Sequence, residues 1–270
     1  MGHVAYDFTG EVVVITGAAG GIGKAVAKAF ADAGANVVIG DLKMDQGEKT
    51  VEELTAGKGS VSFVMTDVTS QESVSGLVQA ALDAYGKVDI LVNGAGVCNR
   101  NFGNPFTDLP DEDFDFTYKV NEMGVVHTVR AVYDLFKKQQ KGRIINISST
   151  VGHSTNILNV PYCISKAAVL NLTVNLAKEL GPSGITVNAI CPGYIYTDMY
   201  ENAAPLMSKK NPAFEGMGGK EIVKLMAKMN CATQKEQYVE DIAYAALFLA
   251  SDEAESITGT ALDVAGGYKI

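Results

Sequence analysis

The chain has 270 residues, 47% of them hydrophobic and 20% charged, enough apolar mass to bury one sizeable core and too much for a disordered or fibrous protein. Twenty-two Lys and Arg against 31 Asp and Glu give a formal charge of −9, which argues against nucleic acid or an anionic membrane as partner. The longest stretch free of these four residue types, Ile144 to Ser165, is rich in Ser, Asn and Thr and fails as a bilayer span.

The N-terminal segment MGHVAYDFTGEVVVITG carries neither a basic region nor a small-residue cleavage site, so the expected location is the cytoplasm. Glu11–Thr16 reads as a first strand and runs into Thr16-Gly17-Ala18-Ala19-Gly20-Gly21-Ile22-Gly23, which opens a helix over Ile22–Ala33. Gly17 permits a tight turn, Gly21 lets the backbone approach a pyrophosphate, and Gly23 allows close helix packing. The helix N-terminus at Ile22 supplies free N–H donors. The second strand, Asn36–Asp41, ends on a carboxylate 18 residues past Gly23. There Asp41 is placed to bind both hydroxyls of an adenosine ribose and repel a 2′-phosphate, favouring NAD over NADP. Leu42 agrees with this, Lys43 argues for a phosphate, and the alternative is that Asp41 only caps the helix Asp45–Ala56.

A third strand, Ser60–Thr66, leads to Asp67-Val68, which puts a carboxylate near the adenine or caps the helix Gln71–Tyr85. Next come a strand at Val88–Asn93, a long helical stretch over Pro110–Gln140, a strand at Gly142–Ser148, a helix over Tyr162–Leu180 and a strand at Gly184–Ile190. A helix over Glu240–Ser251 and a seventh strand, Ala261–Val264, close one edge. Apolar strands alternating with amphipathic helices predict parallel pairing, right-handed crossovers and helices on both faces. From 194 to 237, Pro205, Pro212, Gly216, Gly218 and Gly219 interrupt two short helical patterns. This insertion reads as a substrate lid, so residues 1–270 form one domain.

Tyr162 and Lys166 lie four apart, on one face of a helix that begins near Pro161. A second Tyr-x-x-x-Lys, Tyr133 with Lys137, reads as a solvated helix end. What separates them is Ser149, 13 residues before Tyr162 at the mouth of a strand; strand alternation and this offset favour it over Ser148. A secondary alcohol must lose its hydroxyl proton as its hydride leaves, whereas free tyrosine has a pKa of about 10. The Lys166 cation, joined by the positive charge of an oxidised nicotinamide, favours the Tyr162 phenolate.

TGAAGGIG at 16–23, Asp67, NGAG at 93–96, Asn121, Ser149, YCISK at 162–166 and PGYIYT at 192–197 follow one order and spacing. In these the sequence resembles the short-chain dehydrogenase/reductase family over essentially its whole length. The resemblance implies a single Rossmann-type doubly wound α/β domain, with a seven-stranded, mostly parallel sheet and helices on both faces. It also implies a nicotinamide cofactor and a homotetramer. By the same resemblance Lys166 binds the nicotinamide ribose beside Tyr162, Ser149 hydrogen-bonds the developing carbonyl oxygen, and Asn121 holds a water that relays protons to Lys166. Val68, Asn93, Ala95 and Gly96 flank the cofactor, and Pro192, Ile195 and Thr197 match positions at the nicotinamide carboxamide. The sequence departs at Gly94, in place of a second Asn, which would loosen the turn beside the adenine, and at Ala265, in place of an Asp.

The lid bears on substrate. Five of the nine methionines (Met199, Met207, Met217, Met226 and Met229) lie in it, and Ile222, Leu225, Met226 and Met229 share a helical face opposite Lys220, Lys224 and Lys228. Methionine is flexible and polarizable, so this lid suits a bulky apolar secondary alcohol such as a hydroxysteroid or bile acid. The alternative is plain packing over a small diol or polyol, as in an acetoin-type reductase. His153, Asn156, Leu158 and Cys191 fall near the site. The cysteines Cys98, Cys163, Cys191 and Cys231 form no CxxC pair and read as buried or site-lining thiols, so no metal is expected. A nicotinamide-sensing binding protein without catalysis is the alternative of a different class, disfavoured because Asn121, Ser149, Tyr162 and Lys166 are all retained. A hydrolase is excluded, since there is no GxSxG elbow.

Overall fold

A computed structural model describes residues 4–54, 57–157 and 159–268. Its strands are β1 (Val12–Thr16), β2 (Asn36–Asp41), β3 (Ser60–Met65), β4 (Ile90–Asn93), β5 (Gly142–Ile147), β6 (Ile185–Pro192) and β7 (Ala261–Val264). They form one sheet in the order β3-β2-β1-β4-β5-β6-β7, wholly rather than mostly parallel. Every residue of β1, β4, β5 and β6 is buried, as expected of apolar strands covered on both faces.

The helices are α1 (Gly21–Asp32), α2 (Met44–Leu54), α3 (Gln71–Tyr85), α4 (Asp111–Thr117), α5 (Met123–Gln139), α6 (Val160–Leu180), α7 (Asp198–Lys210), α8 (Gly219–Asn230) and α9 (Val239–Ala250). Alternation along β1 divides the core. Val13 and Ile15 pack with Val26 and Phe30 of α1 and Ile242 and Ala246 of α9. Val12 and Val14 pack with Leu77 of α3, Val132 of α5 and Val169 of α6. The helix expected to reach Ala56 is described to Leu54, because residues 55 and 56 lie outside the described residues.

One expectation fails in an informative way. The stretch Pro110–Gln140 is not a single α-helix: Tyr118–Glu122 forms a π-helical turn between α4 and α5. A π turn adds a residue to the helical circuit and re-aims the side chains it carries, here Asn121. Gly94 also differs from expectation. Its N–H donates to Thr16 O at 3.1 Å, and a Cβ there would stand 2.7 Å from that oxygen, so the turn is held close rather than loosened.

The lid expected over 194–237 consists of α7 and α8 with a small core of its own, Ala204, Met207, Phe214 and Ile222, joined by Phe102 from the loop after β4. It is fastened at both ends, since Tyr194 N donates to Gln237 Oε1 and Gln237 N to Tyr194 O, each at 3.0 Å.

A buried polar chain ties the sheet to the helices that carry the chemistry. Thr128 of α5 donates to Asn93 Oδ1 at 2.6 Å, Asn93 Nδ2 to Asn146 Oδ1 at 2.8 Å, and Asn146 Nδ2 to Thr173 Oγ1 of α6 at 2.9 Å. Thr173 in turn donates to Val169 O at 2.8 Å. Buried polar groups cost little only when every one is paired. Asn146→Leu strands the Asn93 amide N–H and is expected to lower stability by about 2 kcal/mol, read as a lower guanidinium midpoint; an unchanged midpoint would show that the chain contributes nothing.

Candidate active site

The strand order reverses between β1 and β4, so the chain leaves their C-terminal ends in opposite directions and opens a crevice there. Gly17 turns the chain out of β1 with φ +69°, and a Cβ on it would lie 2.6 Å from Ala95 Cα. A Cβ on Gly23 would stand 2.2 Å from Gly17 O, so both glycines are required by the close approach of backbone to backbone. Gly20 caps α1 with no side-chain acceptor, leaving the first N–H groups of the helix for a ligand.

The resulting cleft has a volume of about 670 Å³, within the range of small-molecule sites. Gly17, Gly21, Ile22 and Gly23 line it, with Asp41, Lys43, Val68, Ala95, Gly96 and Thr197. Asp41 accepts from Ala19 N–H and from Lys43 N–H, each at 3.1 Å, so it braces the glycine loop as well as turning the chain toward α2. These features fit a dinucleotide: a cradle that side chains would fill, a helix N-terminus facing it, and a carboxylate at the end of β2.

Other expected cofactor residues do not line the cleft. Asp67 is occupied by an Asx turn, accepting from Thr69 N–H at 2.8 Å and Thr69 O–H at 2.7 Å, while Ser70 rather than Asp67 caps α3. The Asn93 side chain belongs to the buried polar chain. Pro192 ends β6 and Ile195 is buried; neither is part of the cleft wall.

Next to Gly96 and Cys98 of the cleft wall, though not lining it themselves, Tyr162 and Lys166 lie one turn apart on α6. Lys166 is buried, donates to Ile147 O at 2.8 Å and lies 5.5 Å from the Tyr162 ring centroid. The Ser149 side chain lies beside the Tyr162 phenol. Ser148 points elsewhere, donating to Lys166 O at 2.9 Å, so the structure brings Ser149 and not its neighbour to the phenol. Asn121 uses both ends of its amide on one peptide, accepting from Val97 N–H at 2.8 Å and donating to Val97 O at 2.9 Å, and also donates to Ser165 Oγ at 2.8 Å. Tyr133, by contrast, donates to exposed Glu179 at 2.5 Å, with Lys137 over its ring, and takes no part in the cleft.

Burial is the largest influence on Tyr162 and pushes its phenol well above the ordinary tyrosine range; the Ser149 hydroxyl opposes it. Burial also brings the Lys166 ammonium down to about 8. The direct lowering of Tyr162 expected from Lys166 is not among the influences on the phenol, which desolvation dominates.

The lid methionines are not the pocket wall that the sequence suggests. Met207 is buried in the lid core, Met217 and Met226 pack against it, Met229 is 71% exposed, and only Met199 lines the cleft. Tyr200 of α7 lies beside Tyr162 instead. His153 Nε2 pairs with Asp263 Oδ1 of β7 at 3.2 Å, and the buried Cys191 thiol, pushed up to about 12 by burial and then by Asp263, completes that cluster. Cys163 donates to Asn156 O at 3.6 Å, and Leu158 lies outside the described residues. Sequence reading missed Cys98 as a neighbour of Tyr162, and also Asn159, Ser165 and Tyr200. Asn159, one turn before Tyr162, had a signal in its spacing alone.

The depressed Lys166 sets a test. Folded-state Lys166 loses its proton near pH 8 and the unfolded lysine near 10.5, so the unfolded chain binds more protons between these values and stability rises with pH across that window. Lys166→Met removes the penalty at every pH. It is expected to stabilise by about 2–3 kcal/mol below pH 8, less the lost hydrogen bond, with the gain shrinking toward pH 10.5. Denaturation midpoints at a series of pH values check this; a pH-independent difference would contradict it.

A family model described as short chain dehydrogenase matches residues 11–207. Oxidoreductase UcpA of Salmonella typhimurium is 38% identical over 96% of this chain and 94% of its own. D-beta-hydroxybutyrate dehydrogenase of Rhizobium meliloti is 35% identical, covering 96% and 98%. Among solved structures, NAD+-bound xylitol dehydrogenase superposes with a TM-score of 0.89 at 31% identity, over 96% of this chain and 99% of that one. Levodione reductase also reaches 0.89, at 28% identity over 96% and 98%.

Proposed function

The chain belongs to the short-chain dehydrogenase family, an oxidoreductase family acting on CH–OH groups, and from that premise we propose that it is an NAD(H)-dependent dehydrogenase interconverting a small hydroxylated secondary alcohol and its ketone. The observation that carries the reading is the convergence of Ser149 with Tyr162 and buried Lys166 of α6, next to the Gly96 and Cys98 wall of a glycine-lined cleft. The nicotinamide, when bound, supplies a positively charged hydride acceptor. Tyr162 takes the substrate hydroxyl proton in oxidation and returns it in reduction. Ser149 hydrogen-bonds the substrate oxygen and keeps the phenol oriented. Lys166 binds ribose and favours the phenolate from below the ring, and Asn121 holds the relay water while its side chain keeps the Val97 loop in register.

NAD is the favoured cofactor because Asp41, on the cleft wall, is fixed by Ala19 N–H at the end of β2. Asp67, Asn93, Pro192 and Ile195 act, in this reading, through the backbone and loops they shape.

A small substrate is favoured because the groups near half-buried Tyr162, Ser149, Cys98, Cys163 and Tyr200, are polar or small, while Met207, Met217 and Met226 pack within the lid. A bulky apolar alcohol such as a hydroxysteroid or bile acid is the second reading, supported by Phe102, Phe116, Met199 and Leu206 along the cleft. As further partners we propose identical subunits in a tetramer, a reading supported by exposed Ile164 and Val174 on α6. No helix among the described residues is long and apolar enough to cross a membrane, and a cytoplasmic location remains part of the proposal.

Nicotinamide absorbance during turnover of diols, polyols, hydroxysteroids and bile acids tests the reading, with Tyr162→Phe as control. The variant is expected to bind NADH normally and lose nearly all turnover, at least about 1,000-fold; normal turnover would refute the role of Tyr162. Asp41→Ala is expected to narrow the preference for NAD over NADP by about tenfold or more, measured as a ratio of kcat/KM values; an unchanged ratio would place ribose discrimination elsewhere.

A further inference from the structure

Asn159 occupies the N-cap position of α6, the place where an asparagine side chain ordinarily accepts a helix N–H, yet its side chain makes no capping hydrogen bond. Its amide is turned instead toward Cys98 of the cleft wall. Nδ2 donates to Cys98 Sγ at 3.2 Å, and Cys98 both lines the cleft and lies beside the Tyr162 phenol. Asn159 is only 3% exposed, and its Oδ1 is buried without a protein partner. A buried amide oxygen that forgoes its cap calls for a donor from outside the chain. Asn159 also sits three residues before Tyr162, at the entry to the helix that carries it. Asn99 Oδ1 is likewise unpaired, but its amide is held at the Asp113 carboxylate.

We infer that Asn159 Oδ1 is a specificity contact for a second substrate hydroxyl next to the carbinol that Tyr162 deprotonates, selecting vicinal diols and polyols. This deepens the proposed function and rests on it. An acceptor at this point prefers a hydroxyl, which can donate. It disfavours a carboxylate, which would set oxygen against oxygen. It equally disfavours a methylene, which would leave the amide unpaired.

The test compares 2,3-butanediol with 2-butanol, both with NAD, in wild-type protein and Asn159→Leu. Wild type is expected to favour the diol by about tenfold or more in kcat/KM. In the leucine variant that ratio should fall to near one, through the diol alone, with NADH binding and 2-butanol turnover retained. A wild-type ratio near one overturns the inference without any variant, so the test survives a variant that does not fold. A variant in which both alcohols lose equally also overturns it, because Asn159 would then be structural. Failure of wild type to oxidise either alcohol in a Tyr162-dependent way overturns the underlying reading and this inference together, whereas Tyr162-dependent oxidation without diol preference overturns the inference alone.

Discussion

The site depends first on how closely the backbones at the ends of β1 and β4 approach. Gly17, Gly23 and Gly94 each stand where a Cβ would lie within 3 Å of main-chain atoms, so no side chain intervenes between the glycine loop and the Gly94–Ala95 turn. That contact leaves the crevice lined by backbone and exposes helix N–H groups to it. A site lined by N–H groups from a rigid turn recognises phosphate without spending side-chain entropy. The same closeness fixes where the chain leaves β4, and thus where Val97 and Cys98 can be.

Val97 is in turn the handle by which α6 is registered. Asn121 pairs with both polar groups of that residue, as a neighbouring strand would, and its amide N–H also reaches Ser165 on α6. An asparagine can do this from a helix only if the helix is locally unwound, which the π turn at Tyr118–Glu122 provides. The irregularity in the longest helical stretch is offset by three hydrogen bonds that set the loop after β4 against the helix carrying Tyr162 and Lys166. The buried chain from Thr128 to Thr173 works on the same two helices from the sheet side.

The strands, most of the helices and the glycine loop were legible in the sequence because each depends on local pattern: β-branched runs, helical periodicity, and glycine where backbone must touch backbone. Ser149 was legible over Ser148 for the same reason, since alternation carried past the end of β5 decides which hydroxyl meets Tyr162 and which turns to the Lys166 carbonyl. The π turn was not legible, because periodicity over Pro110–Gln140 continues through it and its cause lies at Val97, far away in the chain. The lid methionines misled because helical spacing identifies a buried face without saying what buries it; here Phe102 and Phe214 do. Asp67 and Asn93 were read as ligand contacts from position alone; in the fold Thr69 takes one Asp67 carboxylate oxygen, and Thr128 and Asn146 take the Asn93 amide.

The balance between the two substrate readings turns on which surface of the site is polar. The outer cleft wall, with Phe102, Phe116, Met199 and Leu206, is apolar, but it also flanks the run from the glycine loop to Thr197 that the dinucleotide would occupy. The surroundings of Tyr162 differ in kind: a serine hydroxyl, two thiols, a tyrosine and, through Cys98, an amide with an unused oxygen. Burying a steroid ring against such groups would strand their donors and acceptors, whereas a short hydroxylated chain can pair with them. Apolar area favours almost any ligand, but unpaired buried atoms discriminate among ligands, so the polar inner wall weighs more in the choice of substrate than the apolar outer one.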